Sequence, residues 1–232
     1  MRQWLVLALL VAVAIGLWLA WGDGTNARIW VALLLGVWTI GGVVAYVAFR
    51  RHLFGHLNTQ DYIIAAMFIG LLYAVILPWR LGLGRIPVIH AFVFAIPFTV
   101  VFIIAVRLVP KPGGATLILA GRGILYQLLG TGINPLWWPD FLLQSVAVES
   151  YLLFTGDHAR TRRSAIVLGV LRGLMAHLYF YFVGAPFIWR TFYEGWFVLW
   201  QIFLGSAGCA VGGWLGHRLA NRVETAFHYG GV

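Results

Sequence analysis

The sequence predicts an all-α, polytopic membrane bundle of about eight transmembrane helices. Two observations carry this. The chain is 62% hydrophobic and only 10% charged, with a mean hydropathy of +0.89, whereas a soluble domain carries about 25% charged residues. Its apolar residues also fall into eight stretches of about the length needed to cross a bilayer, near 2–21, 28–49, 61–79, 87–107, 114–130, 138–156, 164–186 and 194–217. No soluble domain fits between them.

The net charge is +9 and the pI is near 10.3, a balance that in a soluble chain would suggest nucleic acid. Its distribution points to the bilayer instead. With the N-terminus placed in the cytoplasm, the inner segments carry Arg2, Arg50, Arg51, Arg107, Lys111, Arg160, Arg162, Arg163, Arg218 and Arg222. The outer segments carry only Arg28, Arg80, Arg85 and Arg190. Ten against four is a positive-inside bias, which puts both termini in the cytoplasm of a multi-pass plasma-membrane protein. The first stretch lacks a cleavage site of the usual kind, since Trp21-Gly22-Asp23 follows it, so it reads as a retained span and not a leader.

The stretches divide two plus six. The first two have no ionisable residue in their interiors, and the polar segment Arg50–Gln60 follows them. Residues 1–57 are therefore read as two accessory helices, and residues 58–232 as a six-helix core that holds every intramembrane charge. Small residues recur at spacing four in the core: Ala66, Gly70 and Ala74; Gly169 and Gly173; Gly208, Gly212 and Gly216. Such faces let helix backbones approach closely, within the bundle or against a partner's helix, and Ala66/Gly70/Ala74 is the preferred partner face. Pro97 falls in mid-span and predicts a kink or break. Cys209, the only cysteine, lies among glycines and reads as a small packing residue.

A charge inside the bilayer costs at least a few kcal/mol, so each needs a partner or a purpose. Counting from the cytoplasmic ends of their stretches, Arg122, Glu149 and Arg172 share one depth, about 10–12 Å in at 1.5 Å per residue. They predict a buried Arg–Glu–Arg layer, either a structural lock on helix register or the floor of a site. Gln127, Gln144, His177 and Gln201 form a second polar layer further out. Trp196 and Trp200 lie above it, as part of a site's rim or of the interfacial aromatic belt. Aromatic walls with a few convergent polar groups suit a small, flat heterocycle. Gln127, Gln144, Glu149, His177, Trp196, Trp200 and Gln201 are thus the candidate substrate-binding set.

Catalytic signatures are lacking. There is no H-E-x-x-H, G-x-S-x-G or P-loop, and His52 and His56 have only Asp61 nearby, which does not make a metal site. The sequence predicts neither an enzyme nor a bound metal or cofactor, and no nucleic-acid partner.

The stretch Arg107–Gly130 reads RLVPKPGGATLILAGRGILYQLLG; QSVAVESY follows at 144–151 and HARTRR at 158–163. A K-P-G-G turn, a short glycine-rich span ending in L-L-G, and Q-x-x-x-x-E before a basic loop resemble the substrate-binding S component of an energy-coupling factor (ECF) transporter, with the YkoE-like subgroup the most similar. The resemblance covers about residues 60–220. It implies capture of a vitamin, thiamine or its hydroxymethylpyrimidine precursor, from outside the cell. It also implies a transmembrane T component and cytoplasmic ATPases as partners, with Ala66, Gly70 and Ala74 at the T-component contact and Gln144 and Glu149 on the ligand. Two departures stand out: the first two spans are extra, and Arg122 and Arg172 put positive charge where a cationic ligand would sit. The alternative is a structural transmembrane subunit of a larger membrane complex.

Overall fold

A computed structural model describes residues 57–80 and 90–229. The first two apolar stretches, the loop histidines His52 and His56, and the 1–57 accessory unit, save its last residue, lie outside the described residues. The described chain forms six α-helices: α1 (Thr59–Arg80), α2 (His90–Leu108), α3 (Gly114–Tyr126), α4 (Trp138–Thr155), α5 (Arg162–Tyr179) and α6 (Gly195–Tyr229). These match the third to eighth apolar stretches. Four are long and apolar enough to cross a membrane, over Thr59–Leu77, Ala91–Leu108, Arg162–Ile188 and Gly195–Thr225. Contacts close the helices into a ring that runs α1, α3, α4, α5, α6, α2 and back to α1, with α2 also touching α3 and α5 across the middle.

Two helices end differently from the expectation. Beyond Tyr126, α3 widens into π turns over Gln127–Thr131, and α5 does so over Phe180–Ile188. Pro186 lies in the second segment and has no N–H for an i→i−4 bond. There the Trp189 N–H reaches back five residues to the Gly184 carbonyl. Pro97, by contrast, neither ends nor interrupts α2, which runs continuously past it.

The glycine spacings that could have served a partner are mostly used inside. A Cβ on Gly208 would meet the Phe92 carbonyl oxygen, and one on Gly212 would lie 2.7 Å from that of Ile96. Gly213 faces the Ala165 oxygen at 2.5 Å and Gly169 the Cys209 oxygen at 2.7 Å in the same sense. Thus α6 lies backbone to backbone against α2 and α5, and Cys209 fills the seam opposite Gly169 and Gly173 as a packing residue. The face Ala66/Gly70/Ala74 is different: all three are exposed, and a Cβ on Gly70 would meet nothing within 4 Å.

One end of the bundle is tied by Arg107, the buried last-turn arginine of α2. Its guanidinium donates to the Ala159 carbonyl (3.0 Å), the Asn221 Oδ1 (3.1 Å) and both carboxylate oxygens of Glu224. Ala159 holds a left-handed φ of 58° in the 156–161 loop, a conformation that costs a non-glycine residue energy and needs such anchoring. At about 52 Å by its residue count, α6 exceeds the roughly 30 Å hydrocarbon core. The expected span ended near 217; the bonds from Arg107 hold the helical overhang that carries Asn221 and Glu224.

Gly212→Leu should lower the thermal unfolding temperature of the detergent-solubilised protein, at an overpacking cost of about 1–3 kcal/mol. Gly70→Leu should leave it near wild type. Equal losses would contradict the distinction between an internal seam and an open face.

Candidate functional site

Gly113 precedes α3 with φ 89° and offers no capping side chain, so the first N–H groups of α3 need an acceptor from elsewhere. Glu149 of α4 supplies it. Its carboxylate accepts from the Gly113 N–H at 2.6 Å, the Thr116 N–H at 3.1 Å and the Thr116 hydroxyl at 3.0 Å. The positive end of the α3 dipole adds to this. Glu149 therefore does not join Arg122 and Arg172, and the predicted Arg–Glu–Arg layer does not form. The reason is depth: the bonds from Gly113 and Thr116 put the start of α3 level with Glu149, so Arg122, about two turns along α3, lies further from the basic end.

The carboxylate that Arg122 meets is Asp140, in the first turn of α4, with Arg122 Nη1 3.8 Å from Asp140 Oδ2. Gln144, one turn on, donates through Nε2 to Asp140 Oδ1 at 2.7 Å. Arg172 reaches the same region from α5. Its guanidinium carbon lies 4.2 Å from the centre of the Phe98 ring, and that of Arg122 lies 5.0 Å from the same centre. Both are within cation–π range. Arg172 also donates to the Cys209 sulfur at 3.3 Å.

These groups floor a cavity of about 300 Å³ inside the ring of helices, at the end away from Arg107. Phe94 and Phe98 come from α2, Arg122 and Tyr126 from α3, Asp140, Phe141 and Gln144 from α4, and Arg172 and His177 from α5. Phe180 and Tyr181, from the π-wound segment, and Trp137 and Trp189 complete an aromatic wall. Trp137 makes edge contacts with Tyr126 (6.3 Å) and Trp189 (5.1 Å). The Gly173 carbonyl lies 2.7 Å from His177 Nδ1 and fixes that ring's orientation. An aromatic chamber with amide, imidazole, guanidinium and carboxylate groups on one floor can hold a flat ring and read its polar edge.

Of the predicted substrate-binding set, Gln144 and His177 line the cavity. Gln127 does not: its Oε1 accepts from the Asn134 N–H (3.1 Å) and the Trp138 indole (3.3 Å), which pins the turn after α3. Gln201 is fully buried in α6 outside the lining, and neither amide atom has a hydrogen-bond partner among the described residues. Trp196 and Trp200 are 66% and 44% exposed and face away from the bundle, which fits the aromatic belt and not a rim. Asp140, Phe98, Phe180 and Trp189 were missed. Asp140 lies four residues before Gln144, one turn away on the same face, and that spacing was the available signal. Among the described residues no group of three or more His, Cys, Asp or Glu could hold a metal ion.

No protein-family model and no curated relative matches the sequence. A solved structure does match in fold: a chain described as the crystal structure of an S-component of ECF transporter, with a TM-score of 0.58 and 17% identity. The match covers 74% of this chain and 87% of that one. At this identity the likeness establishes a shared helical membrane bundle.

Replacing Glu149 with Ala strips three hydrogen bonds from the start of α3 and should cost about 1–3 kcal/mol of stability. Glu149→Gln keeps an acceptor oxygen and should cost less. Thermal melts of the two variants check this; an Ala variant as stable as wild type would remove the capping role.

Proposed function

We propose that this chain is the membrane-embedded substrate-capture subunit of an ATP-driven uptake transporter for a vitamin or another small heterocycle. The observation that carries the reading is the aromatic cavity with its polar floor, in a bundle that shares the fold of an ECF S component. The role is one of binding, not catalysis. The six helices form the binding core, and residues 1–57 are an accessory unit.

The orientation follows from charge. Lys111, Arg160, Arg162, Arg163, Arg218 and Arg222 all belong to the end opposite the cavity, so the positive-inside rule puts that end in the cytoplasm and the cavity toward the exterior. In this orientation ligand enters from outside. The open Ala66/Gly70/Ala74 face on α1 is the surface offered to a T component, whose cytoplasmic ATPases supply the energy that a chain without a P-loop cannot. Thiamine and hydroxymethylpyrimidine, implied by the subgroup resemblance, are the first ligands to try.

Tryptophan quenching of the purified protein should reveal a ligand among thiamine, hydroxymethylpyrimidine and a panel of small heterocycles, with dissociation constants in the micromolar range or tighter; none at that level would contradict capture. Mild extraction from its native membrane should co-purify P-loop ATPases, and Gly70→Leu should lose them while retaining its melting temperature. Co-purification of redox or scaffold subunits instead would favour a structural subunit of a larger complex.

A further inference from the structure

The cavity floor is not electrically balanced. Two guanidiniums, Arg122 and Arg172, face one carboxylate, Asp140. Among the described residues Arg107 and Arg122 each have a carboxylate within 4 Å, and Arg172, 6% exposed, does not. Glu149, the next acid along α4, is turned to the start of α3. Any protonation of His177 would only add positive charge. An uncompensated charge in a low-dielectric interior is costly, and a charged partner relieves that cost.

The hydrogen-bonding capacity left over has a matching sign. The Nε–H groups of Arg122 and Arg172 are both buried and unpartnered, as is the Oε1 of Gln144, a residue only 1% exposed. The floor thus offers two cationic donors and one neutral acceptor, beneath aromatic walls. We propose that the cavity takes a small aromatic or heteroaromatic compound bearing a single carboxylate, which accepts from Arg122 and Arg172 while a ring N–H or O–H donates to Gln144. One carboxylate cancels the one surplus charge. A cation would meet two guanidiniums, and a doubly charged phosphate would overshoot the balance and lie near Asp140. Charge-assisted bonds to guanidinium are about twice as strong as neutral ones, so a ligand's acid form should be distinguished sharply from its amide.

The inference rests on reading the cavity as a ligand site, and the test separates the two. Wild-type protein in lipid nanodiscs is titrated calorimetrically with the acid–amide pairs nicotinate and nicotinamide, 4-aminobenzoate and 4-aminobenzamide, and indole-3-acetate and indole-3-acetamide. Thiamine and hydroxymethylpyrimidine are titrated alongside. At least one acid is expected to bind about 10-fold or more tightly than its amide. That preference should vanish in Arg172→Gln, and in Arg122→Gln if the first variant does not fold. Amides, thiamine or hydroxymethylpyrimidine binding as tightly as the acids, or more so, overturns the carboxylate and leaves the capture reading standing. Failure of every compound to bind counts against the capture reading and the carboxylate together.

Discussion

Each charge buried between these helices must be answered at its own depth, because neither lipid nor protein interior solvates it. Most of the architecture follows from how that demand is met. Glu149 is answered by the N–H groups at the start of α3, which fixes how deep α3 begins. Arg107 is answered by Glu224 and Asn221, which holds the overhanging end of α6 against α2. Arg122 is answered by Asp140. Arg172 is left with an aromatic face and a sulfur, and it is the residue that gives the cavity its sign.

Packing and chemistry are divided between two sides of the ring. Where α6 meets α2 and α5, glycines bring backbones together and leave no room for a ligand. On the side of α3 and α4, and along the π-wound end of α5, large aromatics hold the helices apart. Widening a helix by one residue per turn turns side chains out of the ordinary i, i+4 row. The Phe180–Ile188 segment contributes Phe180 and Tyr181 to the cavity in this way.

Helix number in the core, the glycine seams and the cavity residues Gln144, His177, Arg122 and Arg172 were legible in the sequence, because apolar run length and intramembrane polarity are strong signals. The pairing of charges was not. Depth counting assumes that every span starts at the same boundary with a uniform 1.5 Å rise. The bonds from Gly113 and Thr116 to Glu149 set the start of α3 level with the middle of α4, which displaces Arg122 and everything else counted along α3. Asp140 does not stand out in the sequence, since an acid in the first turn of a helix ordinarily serves the helix dipole. Trp196 and Trp200 share a helix with Gln201, but composition does not reveal which face of a uniformly apolar helix turns inward.

The proposed capture site is the aromatic chamber floored by Arg122, Asp140, Gln144 and Arg172. The most direct measurement is an experimental structure of the protein with a ligand identified by binding. Ligand density is expected among Phe98, Trp137 and Trp189, with the polar edge on that floor. Ligand density elsewhere, with this chamber collapsed or filled by side chains, would contradict it.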